Sequence, residues 1–217
     1  MRRDNLNKIL LVAEFLILFF GIPLLMFFDT GFTLPSMVLI PCLVFIFLIL
    51  RYKTGFRWKE LLYFRIGRSR LVRDAVILMI CGIFLGITVL IWIPDKLFNL
   101  PRGNPLIWLA LSLFYPVFSA YPQEIIYRTY IFHRYKNIFP SKWPMIAASG
   151  ITFGFVHILY YHPLSMILTL VGGLYLANVY YHTRSVLYTA ILHGILGMLV
   201  YTVGLGEFFW LEMGDYL

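Results

Sequence analysis

The chain has 217 residues and a formal net charge of +8; 61% of the residues are hydrophobic and only 13% are charged. Its mean hydropathy is +0.83, which excludes an ordinary soluble domain because a chain of this length cannot hide so much apolar surface from water. We predict an all-α fold, a polytopic bundle of transmembrane helices that forms a single integral membrane domain over residues 1–217.

Seven apolar windows are long enough to cross a hydrocarbon core about 30 Å thick. They cover residues 9–28, 32–50, 75–94, 106–132, 145–161, 164–181 and 186–205. The fourth window is longer than one crossing needs, and Pro116 and Pro122 interrupt it. We therefore expect a kinked or tilted fourth helix that continues toward the membrane surface.

The basic residues indicate the orientation of the bundle. If the N-terminus is cytoplasmic, 15 of the 18 Lys and Arg residues lie inside, Lys96 and Arg102 lie outside and Arg128 lies within a helix. The positive-inside rule thus predicts an internal N-terminus and, after seven spans, an external C-terminus. The same distribution explains the net charge through topology and anionic lipid, so we expect the lipid bilayer and no nucleic acid as a partner.

Residues 51–74 are predicted to form a basic cytoplasmic loop. Within it, residues 57–73 mix Arg and Lys with Trp58, Leu61, Leu62, Tyr63 and Phe64. This mixture is typical of an amphipathic helix lying on a membrane surface. We expect such a helix on the cytoplasmic leaflet.

Few polar or ionisable residues stand out within the apolar windows, and such residues mark functional sites because they are costly in lipid. The fourth window holds Gln123, Glu124 and Arg128, the fifth holds His157 and the seventh holds His193. Glu124 and Arg128 are four residues apart on one helical face and can pair. That pair alone is compatible with a purely structural salt bridge. A single His in a span is likewise compatible with an ordinary hydrogen-bonded residue of the bundle. Together the residues also form a plausible acid/base set with an oxyanion stabiliser.

The same residues resemble the motifs of the CPBP family of intramembrane endopeptidases, which includes CAAX prenyl proteases and bacteriocin-processing and abortive-infection homologues. The family motif Glu-Glu-x-x-x-Arg is similar to residues 123–128, and Phe-x-x-x-His is matched by residues 153–157. Its third motif, His followed four residues later by Asn or a small residue, is matched by His193 and Gly197. Residues 183–187 look like its Thr-Gly-Ser-Leu turn.

The resemblance covers residues 105–200 as a CPBP-like catalytic core and implies roles for individual residues. The family's water-activating Glu is Gln123 here, so we expect Glu124 to act as the base. His157 is expected to help hold or deprotonate the water, and His193 to polarise the scissile carbonyl. Supporting roles fall to Gln123, to Arg128 as the partner of Glu124, and to Asn178, which could replace the hydrogen-bond donor that Gly197 lacks.

The resemblance also bears on cofactors and on function. It implies a glutamate-dependent enzyme, so no metal or other cofactor is expected, although Glu124, His157 and His193 would make a reasonable zinc set. The predicted function is cleavage of a membrane-associated peptide or protein substrate by a multi-pass protein of the cell membrane. The alternative is a catalytically impaired relative that acts as a membrane binding or immunity protein. A transporter or proton relay is a third class, but no repeated pair of interrupted helices supports it.

Overall fold

The computed structural model describes residues 2–28 and 35–209, and within these ranges the chain is helical and has no strand, which confirms the all-α fold. The first helix, α1, comprises Arg2–Leu16, the π-helical turn Ile17–Gly21 and Ile22–Phe28. The other helices, in chain order, are α2 (Pro35–Lys53), α3 (Arg68–Trp92), α4 (Asn99–Gly103), α5 (Pro105–Arg134), α6 (Lys142–Val156), α7 (Pro163–Thr183) and α8 (Val186–Val203). Short 3-10 turns lie at Trp58–Glu60, Pro94–Lys96, His157–Tyr160 and Gly206–Phe209.

Six stretches of the described chain are long and apolar enough to cross a membrane. They are Asn5–Phe28, Arg68–Trp92, Pro105–Arg134, Lys142–Tyr160, Pro163–Thr183 and Val186–Val203. The polytopic bundle is therefore confirmed. The predicted second span, residues 32–50, begins outside the described residues and continues in α2, so the count of seven stays a prediction. The internal N-terminus also stays a prediction, and the C-terminal residues 210–217 lie outside the described residues.

Two glycines allow α6 and α7 to pack with their backbones in close approach. A Cβ at Gly150 would lie 2.9 Å from the Cα of Leu174, and one at Gly154 would lie 2.9 Å from the Cα of Leu170. The spacing Gly-x-x-x-Gly serves such close helix pairs in membranes, where small residues let dispersion contacts and weak hydrogen bonds form. This contact fixes α6, the helix that leads into His157, against α7.

The segment between α2 and α3 is not an amphipathic helix, so that prediction is wrong. It has only the 3-10 turn Trp58–Glu60 before α3 begins at Arg68. Its backbone carbonyls are bound by side chains of other elements instead: the Tyr121 hydroxyl donates to Leu61 O at 3.0 Å, and the Ser185 hydroxyl donates to Tyr63 O at 2.5 Å. The irregular part is also shorter than the predicted loop 51–74, because α2 extends to Lys53.

The turn between α7 and α8 holds a residue in the left-handed region. Arg184 ends α7 with φ 51°, a conformation that glycine adopts without strain. Ser185 then caps α8, its hydroxyl accepting from Tyr188 N at 3.1 Å. The Arg184 guanidinium lies 5.3 Å from the ring centroids of both Phe132 and Tyr181, which keeps this turn against the end of α5.

Candidate active site

Helix α5 carries the first motif, and its regular winding is interrupted before that motif and again within it. π-helical turns occupy Pro116–Ala120 and Ile125–Tyr130, and only Tyr121–Glu124 between them is α-helical. Proline removes a backbone donor from a helix interior, and π-helical turns are frequent at functional sites. The predicted kinked helix is thus built as a long helix with two wide turns, over residues Pro105–Arg134.

Glu124 lies in the interior of the bundle with no exposed surface. Its Oε1 is 2.9 Å from His193 Nδ1, and its Oε2 is 3.1 Å from Arg128 Nε. The predicted pairing of Glu124 with Arg128 is therefore present, and His193 is a second partner on a different helix. Because both carboxylate oxygens face these two side chains, Glu124 connects α5 to α8.

Arg128 is as deeply buried as Glu124 and extends the network to α6. Its Nη1 donates to the Ser149 hydroxyl at 2.9 Å, and that hydroxyl donates to the Tyr127 carbonyl at 2.7 Å. The guanidinium also lies 4.9 Å from the centroid of the Phe153 ring, within the range of a cation–π contact. A charged side chain without exposed surface needs such partners, so Arg128 holds α5 and α6 together.

The hydrogen bonds of His193 specify where its proton lies. An ionised carboxylate only accepts, so Nδ1 carries the hydrogen that is donated to Glu124. In the neutral ring Nε2 then has the lone pair, and it accepts from the Tyr115 hydroxyl at 3.2 Å. This chain of hydroxyl, imidazole and buried carboxylate has the order of groups found in hydrolytic triads.

His157 has a similar internal partner. Its Nδ1 is 2.7 Å from the Phe153 carbonyl oxygen, so Nδ1 donates and Nε2 of the neutral ring is left with the lone pair. The Phe153 ring lies between the two imidazoles, with its centroid 4.9 Å from that of His157 and 5.2 Å from that of His193. Each ring, when it is neutral, therefore has its lone pair at Nε2, where it can accept a proton.

Two cavities meet at this site. The first, of about 210 Å³, is mainly apolar and lies between α1, α2, α5 and the end of α6. The second, of about 80 Å³, is lined by both His157 and His193 and has room for a few water molecules. Gln123, His157 and Tyr160 line both cavities, so these three side chains form the wall that the cavities share.

Gln123 and Glu124 are adjacent in the chain but differ in environment. Gln123 is half-buried at the cavity wall, and its Nε2 donates to the Ser119 hydroxyl at 2.9 Å. Glu124 does not contribute to the lining of either of these cavities. Consecutive helical residues point about 100° apart, which explains the difference. The side chain next to the cavity is thus the neutral amide, and the carboxylate is behind it.

The structure brings together five of the six residues predicted to form the site: Gln123, Glu124, Arg128, His157 and His193. Asn178 is half-buried in α7 and lines neither of the two cavities. No group of three or more His, Cys, Asp and Glu side chains within residues 2–28 and 35–209 is arranged to hold a metal ion. Glu124 Oε1 lies 2.9 Å from His193 Nδ1 and Oε2 lies 3.1 Å from Arg128 Nε, and the zinc set considered from the sequence stays a prediction.

Sequence reasoning missed two residues of the network and one half-buried acid elsewhere, Glu14. Tyr115 and Ser149 gave no signal, because an isolated Tyr or Ser in an apolar helix is ordinary. Glu14 did give a signal, since it is an acid inside the predicted span 9–28. Its Oε1 accepts from the hydroxyls of Tyr130 and Tyr135 at 2.7 and 2.9 Å, which ties α1 to the end of α5.

These features define a polytopic helical membrane protein with a buried Glu, Arg and His network beside two cavities. Residues 104–199 match the sequence model of a protein family described as Type II CAAX prenyl endopeptidase Rce1-like. The match covers less than half of the chain, and it confirms the resemblance to this family of intramembrane proteases that was predicted for residues 105–200. No curated protein and no solved structure matches the chain.

Proposed function

We propose that the chain is an intramembrane endopeptidase of the cell membrane that hydrolyses a peptide bond in a membrane-associated protein or peptide. The observation that carries the proposal is the placement of His157 and His193 on one cavity, with Nδ1 of each ring bound by an internal acceptor. Two imidazoles that present Nε2 to a water-sized space can move protons to and from a substrate. The Rce1-like family of intramembrane proteases supports the reaction class.

In the proposed reaction, water occupies the second cavity and neutral His157 takes one proton from it at Nε2. The resulting hydroxide attacks the carbonyl carbon of the substrate, and the negative charge moves to the carbonyl oxygen. His193, which has taken up a proton from the water phase before the reaction, stabilises that oxygen by its positive charge and keeps this proton throughout. When the carbon–nitrogen bond breaks, His157 returns its proton to the leaving amine, so one water is consumed and one acid and one amine are formed. No metal or cofactor takes part in this proposal.

Glu124 has a positioning role in this mechanism rather than the role of base expected from the sequence. Its Oε1 orients the His193 ring, and its charge stabilises an imidazolium at His193, as the buried acid does in hydrolytic triads. It has no exposed surface from which to reach water. Hydrolysis still depends on this glutamate, because removing it releases His193.

The proposal is tested by reconstituting the protein in liposomes with a library of lipid-anchored fluorogenic peptides. The parent is expected to cleave a subset, and His157→Gln is expected to lower kcat by about 10²–10⁴-fold, the usual worth of a positioned base. The matched control is His182→Gln, since His182 is an exposed histidine near the end of α7. Equal rates for the parent and His157→Gln would refute the mechanism, and a silent parent would refute the activity.

A second candidate function rests on Gln123. This amide lines both cavities and cannot accept a proton at any useful pH. A protein that keeps the network but lacks a cavity-facing carboxylate fits a membrane binding or immunity protein that retains peptides without cutting them. In the same liposomes, retention of an intact peptide by the parent would favour this alternative.

A further inference from the structure

Position 197 has no side chain, and a tyrosine from another helix fills its space. Gly197 follows His193 by four residues on α8, so both positions share a helical face. A Cβ built at Gly197 would lie 2.6 Å from the Tyr115 hydroxyl oxygen and 2.7 Å from its Cζ. These distances are far below van der Waals contact. The phenol of Tyr115 therefore occupies the volume that any side chain at position 197 would require.

The Tyr115 phenol also contacts the candidate active site. Its hydroxyl is 3.2 Å from His193 Nε2, and Tyr115 lines the second cavity together with both histidines. Tyr115 is the last α-helical residue before the π-helical turn Pro116–Ala120, which fixes its place on α5. A Cβ at Gly194 would also lie 2.9 Å from Pro116 Cβ, so α8 and this part of α5 are in close contact. The phenol is thus held by backbone packing on both helices.

We propose that Tyr115 supplies, from α5, the hydrogen-bond donor that the site lacks at Gly197, and that it donates to the carbonyl oxygen of the scissile peptide bond. This inference rests on the proposed function. In the free site the hydroxyl donates to neutral His193. Once His193 takes up a proton from the water phase, its Nε2–H donates to the phenol oxygen, and the phenol hydrogen turns to the substrate oxygen in the second cavity. Glu124 stabilises that protonated ring from the opposite side.

A purely structural role for Tyr115 makes a different prediction. If the ring only fills space, then Tyr115→Phe keeps the packing and the activity. If the hydroxyl is the donor, Tyr115→Phe lowers kcat by about 10²–10³-fold, the usual loss on removing one oxyanion donor, while KM and the melting temperature stay near the parent values. Tyr161→Phe is the control, because it removes a tyrosine hydroxyl that lines neither cavity.

Rescue gives the sharper test. Tyr115→Ala empties the space beside Gly197, and the double variant Tyr115→Ala/Gly197→Asn places an amide donor there from α8. We expect this double variant to recover much of the kcat that Tyr115→Ala loses. Tyr115→Ala/Gly197→Ala fills the same space without a donor and is expected to recover none. Nitrogen-15 NMR of the histidine rings adds a readout without activity, since Tyr115→Phe should shift His193 Nε2 and leave His157 unchanged.

The outcomes separate this inference from the proposed function. A parent that cleaves peptides, with Tyr115→Phe equally active or altered only in KM, overturns the role of Tyr115 and leaves the protease intact. An unshifted His193 Nε2 resonance in Tyr115→Phe overturns the hydrogen bond itself. A parent that cleaves no peptide overturns the proposed function and the catalytic use of Tyr115 with it. The inference is supported if Tyr115→Phe loses kcat and if Gly197→Asn, but not Gly197→Ala, restores kcat to the Tyr115→Ala variant.

Discussion

Truncation of Arg128 is expected to be the most damaging single change in the interior of the bundle. Arg128→Ala would leave the Glu124 carboxylate without its cationic partner, and Glu124 has no exposed surface through which water could compensate. Breaking one side of a buried ion pair costs about 3–5 kcal/mol. The variant also loses the hydrogen bond to Ser149 and the contact with the Phe153 ring, so the cost falls at the upper end of that range.

The double variant Glu124→Gln/Arg128→Met tests the electrostatic part of this reasoning. It removes both charges and keeps side chains of similar length. Replacing a buried ion pair by uncharged residues is often neutral, so we expect the double variant to be more stable than Arg128→Ala although it carries one more substitution. Such non-additivity is the signature of an uncompensated charge. Arg102→Ala is the control, since exposed substitutions change stability by at most about 0.5 kcal/mol.

The assay is thermal unfolding in detergent, with the folded fraction measured by size-exclusion chromatography. At about 2–4 °C per kcal/mol for a chain of this size, a loss of about 3–5 kcal/mol lowers the melting temperature by about 6–20 °C. If Arg128→Ala accumulates as folded protein and has the same melting temperature as Arg102→Ala, the buried pair does not stabilise the bundle. If the double variant melts below Arg128→Ala, the charge argument is wrong and the packing around Arg128 is the cause.

Three further predictions concern positions that the structure distinguishes clearly. Gln123→Glu places a second base beside His157 at the shared cavity wall and is expected to raise the rate of peptide cleavage, by no more than the roughly 10²–10⁴-fold that a positioned base supplies, whereas Gln123→Leu should not; equal rates in the two would refute this. Gly154→Ala would force α6 away from α7 and is expected to lower the free energy of unfolding by about 1–3 kcal/mol in the same melting assay. A Cβ at Gly172 would meet no atom within 4 Å, so Gly172→Ala should instead raise the free energy of unfolding by about 0.5–1 kcal/mol. Arg184→Gly relieves the left-handed strain that Arg184→Ala keeps, so the Gly variant should be the more stable of the two by about 1–2 kcal/mol; the opposite order would show that no strain is stored there.

The sequence predicted the parts of the fold that depend on one helix at a time. Apolar length identified the spanning helices, and the spacing of four residues identified the contact between Glu124 and Arg128. The amphipathic helix predicted at 57–73 is absent, and two carbonyls of this segment, at Leu61 and Tyr63, accept hydrogen bonds from Tyr121 and Ser185 on distant elements. Local patterns carry no information about such partners, since both are more than 50 positions along the chain.

The site shows the same division. His157 and His193 were recognised because ionisable residues are rare in spans, and their motifs have fixed spacing. Tyr115 was missed because its significance depends on Gly197, a residue 82 positions away whose missing side chain makes room for it. The sequence alone also could not decide which of two adjacent residues reaches the cavity. That depends on the winding of α5 between two π-helical turns.

Within the first motif, the residues that stabilise the fold are different from the residue that faces the cavities. Glu124 and Arg128 are completely buried and bind each other, His193 and Ser149, so they are needed for folding whether or not the protein cleaves peptides. Gln123, one residue earlier, faces the cavities and has a single side-chain hydrogen bond among the described residues, to Ser119. A substitution at Gln123 therefore alters the chemistry of the shared cavity wall without breaking the contacts among Glu124, Arg128 and His193. It follows that a relative which lost activity would keep Glu124 and Arg128, so their presence supports the fold, and only the groups on the cavity can distinguish an enzyme from a binding protein.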